Sequence, residues 1–236
     1  MVILATDLDG TFLAGDRASQ RQLYGAIAAS TSFKLIFVTG RGLAAIAPLL
    51  SDATIPNPDY IIADVGATVV DADLKPVQPI QAEIEQRWPG FQQIASEFVA
   101  FPGLELQTGP QERRCSFFYT EKVDFEAVQT RAARLGCDVI CSAGRYLDIM
   151  PHQTNKGETL TQLLTVAADL SASDFLLTAG DTLNDLALLT AGFPGVVVGN
   201  AEQLLKQATR NLTDVYQARA EGAGGILEAM AHFGLD

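Results

Sequence analysis

Short apolar runs alternate with amphipathic stretches at both ends of the chain, and the pattern changes in between. Residues 2–7 read as a buried strand, 17–29 as a helix and 34–39 as a second buried strand. A short helix is expected over 43–50, then a strand over 60–63 that turns at Gly66 into 68–70. Such alternation predicts a parallel sheet with right-handed crossovers and helices on both faces.

The middle of the chain reads differently. Helical patterns over 80–88 and 91–99 are separated by Pro89 and Gly90, both helix breakers. A strand over 114–119, a helix over 124–135 stopped by Gly136, and strands over 138–142 and 146–150 follow. Ala143-Gly144 between the last two runs suggests a hairpin. After Pro151 the alternation resumes: helix 157–170, strand 175–179, helix 183–189, strand 195–198, and helices 201–208 and 226–233. The fold class expected is α/β, a Rossmann-like core (1–79 and 152–236) interrupted by an α+β domain (80–151).

At 236 residues the chain can bury a full core in either one large domain or two modest ones. With 48% hydrophobic and 19% charged residues it is expected to be globular. The net charge of −12 disfavours nucleic acid and anionic membranes as partners. It also means that an anionic substrate needs a local positive site. A strand-like run beginning at Val2 leaves no room for a charged leader, and no apolar stretch is long enough to span a bilayer. Three sparse cysteines, Cys115, Cys137 and Cys141, fit a reducing compartment better than a disulfide framework, so a cytoplasmic protein is expected.

Four short motifs carry the chemistry. Asp7-Leu8-Asp9-Gly10-Thr11 ends the first strand, where an open parallel sheet forms its ligand crevice. Two carboxylates one residue apart repel unless a cation compensates. Mg²⁺ suits that need, because it takes hard oxygen ligands and shares its shell with phosphate. A carboxylate can also act as a nucleophile toward phosphorus. Read alone, Asp9-Gly10 also fits a simple turn capped by Asp7, the weaker of the two readings. Thr39-Gly40-Arg41 ends the second strand, where a hydroxyl and open N–H groups grip phosphate or merely cap a helix. Asn155-Lys156-Gly157 opens a helix, and a lysine there is unfavourable unless it meets an anion. Asp181 and Asp185, with Asn184 between them, follow another buried strand and either cap a helix or hold metal.

Taken together, these motifs resemble the haloacid dehalogenase superfamily of phosphohydrolases, with Asp7/Asp9, Thr39, Lys156 and Asp181/Asp185 in the expected order. The insertion between the second and third motifs is similar to a C2-type cap with an α+β fold. More narrowly, the chain resembles the sucrose-phosphatase branch and its mannosylfructose-phosphate phosphatase relatives. The stretches that carry this are Asp59-Tyr60-Ile61-Ile62, Val65-Gly66, Leu147-Asp148-Ile149-Met150-Pro151, Lys156-Gly157, Val198-Gly199-Asn200-Ala201 and Gly224-Gly225-Ile226-Leu227-Glu228. One departure is Gly10, where sucrose phosphatases usually have Asn.

The resemblance implies a Mg²⁺-dependent phosphohydrolase acting on a small sugar phosphate, such as sucrose-6-phosphate, through an aspartyl-phosphate. It implies that Asp7 attacks phosphorus while Asp9 protonates the leaving alcohol and then activates water. Thr39, Gly40 and Lys156 would hold the phosphoryl oxygens, and Arg41 would contact phosphate or sugar. Asp7, Asp181 and the backbone carbonyl of Asp9 would bind Mg²⁺, with Asn184 and Asp185 supporting it directly or through water. Two other readings stay open at this point. One is a phosphomannomutase-like phosphotransferase, for which Arg113, Arg114 and Arg145 are candidate cations for a second phosphate. The other is a non-catalytic sugar-phosphate-binding protein.

Overall fold

The computed structural model describes residues 1–109, 111–171 and 174–235. The first segment contains β1 (Val2–Thr6), α1 (Arg17–Ala29), β2 (Phe33–Val38), α2 (Leu43–Leu50), β3 (Tyr60–Ala63) and β4 (Thr68–Asp71). The middle contains α3 (Ile80–Arg87), α4 (Phe91–Phe98), β5 (Leu104–Leu106), β6 (Cys115–Tyr119), α5 (Phe125–Arg134), β7 (Cys137–Ser142) and β8 (Tyr146–Pro151). The last contains α6 (Lys156–Val166), β9 (Phe175–Gly180), α7 (Leu186–Leu189), β10 (Gly195–Val197), α8 (Gln203–Thr209), β11 (Val215–Gln217) and α9 (Gly222–His232).

Seven strands from the two ends of the chain form one sheet, in the order β11-β10-β9-β1-β2-β3-β4. All neighbours are parallel except β4, which runs antiparallel to β3. The apolar runs are continuous because the central strands are covered on both faces. Leu4, Leu35 and Phe37 pack with α1 and α9 through Leu23, Ile27, Ile226 and Ala229. Ile3, Ala5, Ile36 and Val38 point the other way, onto Leu160 and Leu163 of α6.

The middle segment builds a separate antiparallel sheet, β5-β6-β8-β7. One face packs Cys115, Phe117, Leu147 and Ile149 against Ile94 and Phe98 of α4 and Val128 and Ala132 of α5. Alternation along the strands then places Ser116, Phe118, Tyr146 and Asp148 on the opposite face. The helix α3, on the inserted side of a boundary drawn at residue 79, packs instead on the large sheet. Its buried Ile80 and Ile84 join Ala67, Val69 and Leu160. Strands β5 and β11 were not among the expected elements. With three residues each they are too short for a period-2 pattern to register. Cys115, Cys137 and Cys141 are free thiols, the first two buried. Among the described residues no helix is long and apolar enough to cross a membrane.

Candidate active site

The carboxyl ends of β1, β2, β3 and β9 converge at one edge of the large sheet and deliver Asp7, Thr39, Asp64 and Asp181 there. Asp7 is anchored by its own N–H, which donates to the Ala179 carbonyl of the neighbouring strand at 2.9 Å. The chain then turns sharply through Gly10, whose φ of +81° favours glycine. A Cβ at this position would lie 2.0 Å from Oδ2 of Asp181, so a larger residue would have to push that carboxylate aside. Glycine at residue 10 leaves the room in which the Asp181 carboxylate sits. Thr11 Oγ1 donates to Asp181 Oδ1 at 3.1 Å. The turn is held from behind by Asn200, whose Nδ2 donates to the Gly10 carbonyl at 2.7 Å.

Lys156 is fully buried at the first turn of α6, capped by Asn155. Its Nζ donates to Asp7 Oδ1 at 2.7 Å and to Asp185 Oδ1 at 2.6 Å. Gly157 permits this placement, because a Cβ there would meet the Ala187 carbonyl at 2.1 Å. Burial pulls the Lys156 ammonium down, but Asp185 and Asp7 outweigh it and hold the group charged above the usual lysine range. Asp7 shows the opposite balance. Burial pushes its carboxyl up, Lys156 pulls it back, and Asp185 and Asp181 add to the push. Asp181 is pushed up to about 7, first by burial and then by the charge of Asp185.

Asp7, Asp181 and Asp185 offer carboxylate oxygens that all lie within 4.8 Å of one another. Three carboxylates against one ammonium leave a local negative excess, which a hard divalent cation would neutralise. Asp185 is less available than its neighbours. Its Oδ2 accepts the N–H groups of Asp181 and Thr182, both at 3.0 Å, while Oδ1 takes the lysine. It therefore organises the loop and orients Lys156. Asp9 stands apart from the triad: its carboxylate is gripped by Arg41, Nε to Oδ2 at 2.7 Å and Nη2 to Oδ1 at 2.5 Å.

Above this floor lies a cavity of about 450 Å³. Asp7, Asp9, Thr39, Gly40, Arg41 and Asn184 line its lower wall, and Gln107, Gln111, Ser142, Tyr146 and Asp148 line its upper wall. Lys156, expected to grip phosphate, is not among the lining residues. Its three-donor head lies behind Asp7 and is occupied by carboxylates. Arg41, expected on phosphate or sugar, is engaged by Asp9. Sequence reasoning did not single out Asp64, Gln107, Gln111 or Glu202 as functional, and Asp148 and Asn200 appeared only within longer stretches. Asp64 and Asp148 meet at Arg114, Asn200 meets Gly10, and Glu202 meets Ala143, all distant in sequence, so no local pattern marks these four. Arg113, Arg114 and Arg145 were candidates for a second phosphate. Arg114 pairs with Asp64 and Asp148, Arg113 with Glu85 and Glu112, and Arg145 lies over the Tyr146 ring at 4.5 Å.

Comparison with known proteins places this geometry in a family. Residues 1–234 match the family model described as sucrose-6F-phosphate phosphohydrolase. The chain is 50% identical over 235 residues to a glucosylglycerol-phosphate synthase of Pseudomonas anguilliseptica, covering 99% of this chain but 31% of that protein. It is 30% identical to a mannosylfructose-phosphate phosphatase of Agrobacterium fabrum, covering 99% of this chain and 97% of the relative. Its fold is similar to the crystal structure of a Synechocystis sucrose-phosphatase in complex with sucrose and phosphate. The TM-score is 0.85 at 25% identity, with 99% and 98% of the two chains covered. The chain belongs to the sucrose-6F-phosphate phosphohydrolase family, a branch of the haloacid dehalogenase superfamily.

Proposed function

We propose that the chain is a Mg²⁺-dependent phosphatase that releases orthophosphate from a glycosylated sugar or polyol phosphate, with residues 80–151 serving as its substrate-reading cap. The observation that carries this reading is the buried Lys156 bridge between Asp7 and Asp185, with Asp181 beside it and Asp7 itself lining the cavity above. Asp7 and Asp181 would hold the metal, with the Asp9 carbonyl beside them and Asp185 fixing their loop. Bound there, Mg²⁺ would neutralise the carboxylates and the phosphate charge.

In the first step an Asp7 oxygen attacks phosphorus and the bond from phosphorus to the alcohol oxygen breaks. The departing oxygen takes a proton from Asp9. In the second step water attacks phosphorus, Asp9 takes its proton, and the bond to Asp7 breaks to release orthophosphate. Arg41 grips the Asp9 carboxylate and so holds it at the cavity wall, where both proton transfers take place. Thr39 and Gly40 face the same cavity and are placed to hold phosphoryl oxygens. Lys156 acts from behind, its charge opposing the burial and neighbouring carboxylates that push Asp7 up. Arg114, the candidate cap arginine that lines the cavity, is already paired with Asp64 and Asp148, which argues against a mutase needing a second phosphate site. An intact nucleophile beside its lysine argues against a binding-only role.

The 50% identical relative is named for making glucosylglycerol phosphate, and a phosphatase segment joined to such an activity would use that ester. Glucosylglycerol phosphate, sucrose-6-phosphate and mannosylfructose-phosphate should therefore be compared for phosphate release. The first is expected to give the highest kcat/KM. Preference for a hexosyl-fructose ester would shift the substrate to that class, and no release from any ester would sink the phosphatase reading.

The raised Asp181 gives a pH prediction. Between the ordinary carboxylate value and about 7, the metal-free folded protein holds a proton that the unfolded chain has lost. Stability attributable to this group is present at low pH and falls as pH rises through about 7. Asp181 would give up that proton on holding Mg²⁺, so millimolar Mg²⁺ should raise Tm by about 5 °C or more at pH 8 and by about 1 °C at pH 5.5. An equal Mg²⁺ effect at both pH values in differential scanning fluorimetry would contradict the assignment.

A further inference from the structure

The cap meets the core through a polar contact that the chemistry above does not use. Asp64 follows β3 with a φ of +52°, and Val65 beside it is also left-handed at +58°. Such a conformation costs energy unless surrounding contacts fix it. Those contacts are present. Thr68 Oγ1 donates to Asp64 Oδ2 at 2.8 Å, and Arg114 Nε of the cap donates to Asp64 Oδ1 at 3.2 Å. The other arm of the same guanidinium, Nη1, donates to Asp148 Oδ1 at 3.0 Å on the open face of the small sheet. Ser116 Oγ donates to that same Asp148 oxygen. Both carboxylate side chains are nearly buried, at 7% and 6% exposure, so the guanidinium is not a solvated surface charge.

Arg114 and Asp148 both line the cavity, on the wall facing Asp7. The small sheet carries Gln107, Ser142 and Tyr146 on that wall as well, so tilting the sheet would displace all of them together. At the other edge of the interface the Ala143 N–H donates to Glu202 Oε1 at 2.8 Å, and Glu202 Oε2 accepts the N–H of Leu183. The sheet is thus tied to the core at separated points, and Arg113 adds a further tie through Thr68 and through Glu85 of α3. The Arg114 tie differs from the Arg113–Glu85 pair in being enclosed, its two carboxylates at 7% and 6% exposure against 49% for Glu85, and in lining the cavity.

We propose that Arg114 is a positioning residue for the reaction. Clamped between Asp64 of the core and Asp148 of the cap, it fixes the height and tilt of the cap sheet over Asp7, and so the placement of the sugar. Arginine suits the task because its planar fork reaches two carboxylates at once, whereas lysine offers a single point charge. The inference rests on the phosphatase reading and adds a prediction that the reading alone does not make. A sugar ester depends on the cap for alignment, while a small activated aryl ester such as p-nitrophenyl phosphate reacts through the core groups.

The test compares Arg114→Lys and Asp64→Asn with wild type on glucosylglycerol phosphate, sucrose-6-phosphate and p-nitrophenyl phosphate. Asp64→Asn leaves the Arg114–Asp148–Ser116 contacts inside the cap intact and so guards against a variant that merely misfolds. In both variants kcat/KM on the sugar ester that wild type uses should fall about 30- to 100-fold, mainly through kcat. Turnover of p-nitrophenyl phosphate should stay within about threefold of wild type. Equal losses on the aryl and sugar esters, or unchanged turnover of both, would overturn the clamp. Wild type inactive on all three esters would instead remove the phosphatase reading on which it rests.

Discussion

Replacing Asp7 by Asn will lower phosphate release by about 10⁴-fold or more while leaving the fold in place. The amide keeps the volume of the carboxyl group and an oxygen that can accept from Lys156, which now donates at 2.7 Å. It cannot form an acyl-phosphate, so the proposed two-step route is closed at its first bond. Substrate should still bind, because Thr39, Gly40 and the cap wall are untouched.

Asp9→Asn provides the contrast. The nucleophile survives and proton transfer is lost, a change worth on the order of 10²- to 10⁴-fold on a sugar ester. With p-nitrophenyl phosphate the leaving group needs no proton, so phospho-Asp7 should form and then hydrolyse slowly. Rapid quench with labelled substrate distinguishes the two variants: label on the protein in Asp9→Asn, none in Asp7→Asn. Substantial turnover by pure, folded Asp7→Asn would overturn the nucleophile assignment.

The second large effect is expected from Lys156→Met, a change that conserves much of the side-chain volume. The ammonium is buried between two buried carboxylates, and removing it strands Asp7 and Asp185 without their shared counter-charge. Breaking such a buried pair by deleting one partner costs about 3–5 kcal/mol. For a chain of this size that corresponds to a fall in Tm of about 10 °C. Activity should be lost with it, because the neighbouring carboxylates and burial would then favour the protonated, non-nucleophilic form of Asp7. A thermal melt measured with and without Mg²⁺ reads both parts, since the cation should recover some stability without recovering turnover. An active Lys156→Met enzyme with wild-type Tm would show that the bridge has neither role.

How much of this was legible in the sequence depends on the range of the interaction involved. The apolar run of β1 and the polar turn that follows mark a strand ending in two carboxylates. Hydrophobic periodicity and turn chemistry act over a few residues, so they survive in the linear order. The same holds for Thr39 after β2, for the Asn155 cap that places Lys156 at a helix start, and for the Asp181–Asp185 loop after β9. The change of pattern between residues 79 and 151 likewise signals the inserted sheet, because antiparallel hairpins and crossover helices bury different periods.

Tertiary structure alone decided the rest. It placed α3 on the large sheet, since both layers can bury an amphipathic helix and the sequence does not say which one does. It turned Lys156 into a buried bridge behind Asp7, with 149 residues separating the two. It engaged Arg41 with Asp9, and it set the Asp181 carboxylate in the space that Gly10 leaves open. It also joined Asp64, Arg114 and Asp148 from β3, the start of β6 and β8, residues that no spacing rule connects. Charge pairing depends on distance in space and on exclusion of water. Both quantities are fixed only when the strand order of the two sheets brings the segments together.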